Sequence, residues 1–274
     1  MTVERGYLLP IGGAEDKIAA RVILTHFVQR CGGTEAIIIV IPTASEIPEE
    51  VGPMYKTLFD ALGVQETRIL DIRTREDADN PASSAVLEGA TGIFLTGGDQ
   101  LRLATILDGS LTGDSIQQAF AAGVNIAGTS AGASAMSYEM IAAGQSGMVP
   151  SPNLVEMGRG LGLTHEAIID QHFRQRTRIG RLITVVMRYP HLLGIGLDED
   201  TALEIAPDNA CQVIGSGSVM IVDASQLLYT DIHEVAPDRL VSALGVTVHI
   251  LTHGYRYHLD TRQPSPADLT PEKG

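Results

Sequence analysis

The stretch NIAGTSAGASAM, residues 125–136, places Ser130 inside G-T-S-A-G and surrounds one hydroxyl with the smallest side chains. An apolar run leads into it and a helix-compatible run leaves it. Small residues are needed where a backbone turns sharply from strand to helix and exposes a hydroxyl at the apex, as in a G-x-S-x-G nucleophile elbow. The competing reading is a hydroxyl that only caps a helix beginning at Ala131.

Outward from this elbow, short apolar runs alternate with longer mixed segments as far as about residue 143, the pattern of parallel strands joined by crossover helices. GYLLPIGG (6–13) reads as a strand ending in a glycine loop, DKIAARVILTHFVQRCGG (16–33) as a helix, and AIIIVIPTAS (36–45) as a strand buried on both faces. Four strands therefore end at PIGGAED (10–16), IPTAS (41–45), LTGGDQ (95–100) and GTSAGA (128–133). Ligands of open sheets bind beyond such carboxyl ends. Further on, AIIDQHF (167–173) predicts a strand on the same sheet edge as the elbow, followed by a basic helix over 174–189 and by short β-branched runs that read as antiparallel strands. The expectation is one α/β domain over 1–261, a mostly parallel sheet sandwiched by helices with antiparallel strands in its C-terminal part, and a polar, flexible tail over 262–274.

The 274 residues are 44% hydrophobic, enough for a sizeable core. A formal charge of -14 excludes a phosphate backbone as partner and suits a cationic or zwitterionic one. No apolar run is long enough to cross a bilayer, and the N-terminus lacks a signal-peptide hydrophobic region, so a cytoplasmic location is expected. Cys31 and Cys211 lie far apart without metal-ligand spacing and read as buried thiols. The histidines show no H-E-x-x-H spacing, and neither metal nor organic cofactor is expected.

A serine hydroxyl needs a base. His172 follows a strand end, and GIGLDEDTALEIA (194–206) supplies Asp198, Glu199 and Asp200 as carboxylates to orient an imidazole. In LTGGDQ, Gly97, Gly98 and Asp99 can offer backbone N–H groups to an oxyanion while Gln100 meets substrate; Asp99 serves equally as a helix N-cap. Ala131, directly after the serine, is a further oxyanion donor. RQRTRIGR (174–181) puts Arg174, Arg176, Arg178 and Arg181 within eight positions, and a helix would place Arg174, Arg178 and Arg181 on one face. Such a face is either solvated or used for bidentate capture of carboxylates.

Together, LTGGDQ, GTSAGASAM, DQHFRQRTRIGRL, GIGLDEDTALEI and VIGSGSVMIVD resemble the cyanophycinases, serine peptidases related to the aspartyl dipeptidases. The resemblance implies a class I glutamine amidotransferase-like (flavodoxin-like) fold, a homodimer, and hydrolysis of cyanophycin, an aspartate backbone with arginine joined to each side-chain carboxylate. Its products would be β-Asp-Arg dipeptides released by an exopeptidase through an acyl-enzyme. Ser130 is similar to the nucleophile, His172 to the general base and Glu199 to the third member. Gln100, Asp170, Gln171, Arg176, Arg178 and Arg181 correspond to positions lining the substrate pocket. The alternatives are an aspartyl or isoaspartyl dipeptidase of the same family and a catalytically silent peptide-binding protein. The order Ser, His, acid disfavours an ordinary α/β-hydrolase esterase, and serine in place of thiol disfavours a glutamine amidotransferase.

Overall fold

In the computed structural model, which describes residues 4–266, the isoleucine-rich run becomes strand Ile37–Ile41. Ile39 and Ile41 enter one core cluster while Ile38 and Val40 enter another, as side-chain alternation requires of a strand covered on both faces. It belongs to a nine-stranded sheet. Strands Glu66–Ile69, Ile37–Ile41, Gly92–Leu95, Asn125–Thr129 and Leu8–Ile11 run parallel in that spatial order. Beyond Leu8–Ile11, strands Thr201–Ile205, Ala210–Gly215, Arg256–His258 and Gln263–Ser265 continue antiparallel. The fold is therefore α/β with a large, mostly parallel sheet.

Helices Val22–Arg30 and Pro48–Ala61 bring Phe27, Tyr55 and Phe59 to one face of the sheet. Their ring centroids lie 6.1, 4.6 and 5.2 Å from that of Phe94. Truncating an aromatic side chain in such a cluster to alanine costs roughly 3–5 kcal/mol. The first of these helices begins later than the sequence predicts, at Val22, because the Asp16 carboxylate gathers the preceding residues into a loop. It accepts from the N–H groups of Ile18, Ala19 and Arg21 at 2.9, 2.9 and 2.8 Å. These bonds hold the Asp16 carboxyl below the usual range, at about 2.

The other face meets a four-stranded sheet in which Ala167–Asp170 runs parallel to Leu193–Leu197, followed by antiparallel Ser218–Asp223 and Thr247–Thr252. Ile169, Ile195 and Ile221 pack into the cluster that holds Leu8 and Ile39. Ile168 and Val222 face the opposite way, against Leu182, Val185 and Val186 of helix Ile179–Arg188. The strand before His172 is thus not on the elbow's sheet, contrary to the sequence expectation. It hydrogen-bonds to Leu193–Leu197 and reaches the first sheet only by side-chain packing.

The basic helix is also shorter than expected. Thr177 adopts a left-handed φ of 52°, and the helix starts only at Ile179 with Arg178 at its N-cap. Arg174 lies outside it, drawn to Asp198 through its main-chain N–H at 3.1 Å and its Nε at 3.2 Å, so Arg174, Arg178 and Arg181 do not share a helical face. Strands Glu139–Gly144 and Val155–Arg159 form an antiparallel hairpin joined by the Gly- and Pro-containing residues 145–154. At the C-terminus, Gln263–Ser265 is an edge strand paired with Arg256–His258, so the boundary drawn at 262 falls inside ordered structure. The rest of the expected tail, 267–274, lies outside the described residues.

Candidate active site

The elbow forms because two glycines admit it. A Cβ on Gly128 would lie 2.6 Å from the Gly132 carbonyl, and a Cβ on Gly132 would lie 2.4 Å from the Leu95 oxygen. Between them Ser130 takes φ 52° and ψ -110°, in left-handed territory that a non-glycine residue occupies only when its surroundings impose it. Its side chain does not cap the helix Ala131–Ser134, which removes the competing reading.

Three consecutive carbonyls of the PIGG loop hold the segments that converge on this hydroxyl. Ile11 O accepts from Ser130 N at 2.9 Å, Gly12 O from His172 N at 2.8 Å, and Gly13 O from Asp200 N at 2.9 Å. His172 Nε2 then stands 2.9 Å from Ser130 Oγ, and its Nδ1 stands 2.7 Å from Glu199 Oε1. A carboxylate can only accept, so Nδ1 carries the proton toward Glu199 and Nε2 presents its lone pair to the hydroxyl. Burial lowers the His172 pKa; Glu199 opposes that shift, while the charges of Arg176 and Arg178 add to it. The ring is neutral near pH 7, the form a general base requires.

The three adjacent acids do different work. Buried Asp198 accepts from Arg174, from Ser218 N at 3.1 Å and from Ser218 Oγ at 2.8 Å. Asp200 ties down its loop, accepting from Asp16 N at 2.9 Å and Ser216 Oγ at 2.7 Å. Glu199 alone of the three reaches His172.

Gly97 faces the serine, since a Cβ there would lie 3.4 Å from Ser130 Cβ. Gly98, with φ +142°, passes so close to Ala44 that a Cβ would fall 2.0 Å from its carbonyl oxygen. Among the described residues no group accepts from the N–H groups of Gly97, Gly98 or Ala131, so all three are available to a developing oxyanion. Asp99 is the N-cap of helix Gln100–Leu107, accepting from Leu101 N and Arg102 N at 2.8 and 3.1 Å. The Gln100 amide nitrogen is committed to the carbonyls of Ile141 and Ala142 at 3.2 and 2.9 Å, leaving its oxygen for a ligand.

The remaining sequence candidates divide into two groups. Gln171 Oε1 accepts from Ser130 Oγ at 3.4 Å, and exposed Arg176 donates its main-chain N–H to His172 O at 3.0 Å. Asp170 and Arg181 lie inside the protein instead. Asp170 is completely buried and pairs with Arg181, whose Nε donates at 2.6 Å, and with Arg178 Nη1 at 3.2 Å. Arg178 links the groups: Nη1 also donates to Gln171 O at 2.6 Å while its buried Nε has no partner among the described residues. Burial lowers the Arg178 pKa to about 10. A cavity of about 460 Å³ lies beside Arg174 and Arg178, lined also by Phe173, Met220 and Ile250, but Ser130 opens onto a different one of about 220 Å³. Sequence reasoning missed the PIGG loop as a scaffold; its paired glycines after the first strand, matching those of LTGG, were the available signal. Among the described residues there is no group of three or more His, Cys, Asp or Glu side chains able to hold a metal ion.

Comparison with known proteins places these residues in context. The model of peptidase family S51 matches residues 8–213. The chain is 45% identical over 261 residues to the cyanophycinase of Nostoc sp. (strain PCC 7120), covering 95% of this chain and 88% of that one. It is 42% identical over 261 residues to the cyanophycinase of Geminocystis herdmanii (strain PCC 6308), covering 95% and 96%. The crystal structure of a peptidase from an acI-B1 Actinobacterium superposes with a TM-score of 0.67 at 24% identity, over 94% of this chain and 98% of that one, a likeness of fold.

Proposed function

The chain belongs to peptidase family S51, and from that membership we propose that it is a serine peptidase that hydrolyses cyanophycin, with Ser130 as nucleophile, His172 as general base and Glu199 as the acid that orients it. The observation that carries this reading is the relay itself: a hydroxyl on a strained elbow, 2.9 Å from an imidazole whose other nitrogen is 2.7 Å from a carboxylate.

His172 Nε2 takes the Ser130 proton as Oγ attacks a backbone carbonyl of the aspartate chain. Glu199 stabilises the imidazolium that forms. The N–H groups of Gly97, Gly98 and Ala131 receive the oxyanion, an interaction whose loss at one donor typically costs about 10²–10³ in kcat. The imidazolium then protonates the leaving amine, and water, deprotonated by the same ring, releases the acyl group. Gln171, Arg176 and the oxygen of Gln100 are assigned to the approach, whereas Arg178 borders the neighbouring cavity of about 460 Å³. Arg176 is the guanidinium best placed for substrate carboxylates, because Arg178 and Arg181 are held by Asp170. Exopeptidase release of β-Asp-Arg is the product pattern assigned.

The fold is read as class I glutamine amidotransferase-like, a reading supported by the elbow at the end of a strand within the parallel part of the sheet. The protein is assigned as a homodimer, and the exposed apolar side chains of Leu228, Leu240 and Leu244 support a surface of that kind. A cytoplasmic location is supported by two free, buried thiols, with burial pushing Cys31 up to about 12 and Cys211 higher still. Among the described residues no helix is long and apolar enough to cross a membrane.

The deciding experiment incubates purified protein and its Ser130→Ala variant with cyanophycin granules and follows soluble products by mass. Release of β-Asp-Arg by the native protein alone is expected. Intact granules beside hydrolysed isoaspartyl dipeptides would assign the chain to the dipeptidases instead.

A further inference from the structure

The cavity at Ser130 is walled by Ala14, Glu15, Lys17, Tyr55, Gly97 and Thr129. Glu15 and Lys17 take no part in the Ser130–His172–Glu199 relay, yet they are held with unusual care. The Glu15 side chain is completely buried and fully engaged. Oε1 accepts from the Tyr55 hydroxyl and pairs with Lys17 Nζ at 2.8 Å, while Oε2 accepts from Thr129 Oγ1 at 2.6 Å. A carboxylate stays buried only when it is compensated in this way.

Lys17 is the open end of the arrangement. Its side chain is 27% exposed, and its ammonium lies 5.4 Å from the centroid of the Tyr55 ring, itself fixed against Phe94. Nζ donates to Glu15 Oε1 and, at 3.3 Å, to the Glu15 main-chain oxygen. An ammonium has three donors, so one is left for a ligand. The flanking backbone is pinned on both sides, by Gly13 O on Asp200 N and by the Asp16 carboxylate on the N–H groups that follow. The negative pole of the pair is buried and spread over three donors, whereas the pole that meets the cavity is the cation. In a chain with a net charge of -14, a preorganised ammonium beside a nucleophile is suited to one kind of ligand group, an anion of carboxylate size.

We propose that Lys17, braced by Glu15 and Tyr55, is the carboxylate-binding residue of the cavity at Ser130 and anchors a substrate carboxylate during hydrolysis. The assignment rests on the peptidase reading above. Two carboxylates of a cyanophycin chain have this chemistry: the free carboxylate of each arginine branch, and the terminal carboxylate of the aspartate backbone.

The test uses three soluble compounds: a trimer of β-Asp-Arg units, the same trimer with a C-terminal carboxamide, and a trimer with agmatine in place of arginine, which lacks the branch carboxylates. Native protein, Lys17→Met and Lys17→Arg are compared, each checked by thermal melting. Lys17→Met is expected to raise KM on the parent trimer about tenfold or more with kcat little changed, the loss of one charge-assisted contact. That penalty should vanish on whichever analogue lacks the bound carboxylate, and Lys17→Arg should restore most of the affinity. An equal penalty on all three compounds, or none, overturns the proposal. Should Lys17→Met fail to fold, equal affinity of the native protein for all three compounds overturns it. Failure of the native protein to cleave any trimer would count against the cyanophycin reading instead. Calorimetric titration of the compounds into Ser130→Ala protein, with and without Lys17→Met, then decides the subsite separately, and absent or Lys17-independent binding rejects it.

Discussion

Gly13 lies directly against the imidazole of His172: a Cβ on Gly13 would come within 2.4 Å of Cε1 and 2.5 Å of Nε2. The ring is held at Ser130 on one side and Glu199 on the other, so it cannot yield without losing one of the two contacts on which the proposed relay rests. Gly13→Ala is therefore expected to lower kcat by roughly 10²-fold, the scale of a 1 Å misplacement. Because φ is +96° there, the variant should also lose about 1 kcal/mol of stability. Single-turnover acylation and thermal melting separate the two effects. An alanine variant with native acylation rates would show that the loop does not set the ring's position.

Glu199 and Asp198 are neighbours in sequence and opposites in role. Glu199→Gln keeps the size of the side chain but removes the charge that stabilises the imidazolium, and by analogy with other triads the loss in kcat should reach about 10²–10⁴-fold with melting unchanged. Asp198→Asn removes a buried acceptor of the Arg174 and Ser218 bonds and should instead cost roughly 1–3 kcal/mol of stability. Paired kinetics and urea unfolding check the division. A Glu199→Gln variant with full kcat would remove it from the relay.

The sequence is most explicit where side-chain size or period carries the information. The small residues about Ser130 announce a tight turn because Gly128 and Gly132 have no room for a Cβ, and the alternation of Ile37–Ile41 announces a strand buried on both faces. The choice among Asp198, Glu199 and Asp200 is not encoded in residue type. It depends on the tertiary neighbours each acid meets: His172 for Glu199, Arg174 for Asp198 and Asp16 N for Asp200, which itself takes a left-handed φ of 49°. The carbonyls of Ile11, Gly12 and Gly13 are equally silent, since every residue has one. Which sheet carries Ala167–Asp170 is decided by pairing over long sequence separation, and Arg174, which the pattern placed in the helix, is instead engaged by the distant Asp198; neither leaves a local pattern.

The pH profile follows from the charges around His172. Its folded pKa lies below the ordinary 6.5, so kcat/KM should rise with pH along a limb centred below that value, as the ring loses its proton and becomes a base. Arg176 disfavours the imidazolium and Glu199 favours it. Arg176→Gln should therefore move the limb toward higher pH, and Glu199→Gln should move it lower in whatever activity remains. Titration of kcat/KM for the three proteins measures both signs. A limb that moves the same way in both variants would mean that a group other than His172 is being titrated.

Asp170 distinguishes a substrate contact from a brace. It is completely buried, and removing its charge leaves the guanidinium groups of Arg178 and Arg181, only 8% and 3% exposed, without their carboxylate. Stranding buried charges in this way typically costs about 3–5 kcal/mol, so Asp170→Asn should unfold at markedly lower urea and lose activity through loss of the folded site. Arg176→Gln, at an exposed position, should stay within about 0.5 kcal/mol of native stability while raising KM. Urea midpoints and KM values for the two variants make the comparison. If Asp170→Asn instead melts like the native protein yet loses substrate affinity, Asp170 touches substrate directly, and the buried ion pairs opposite it are not what keeps the arginines in place.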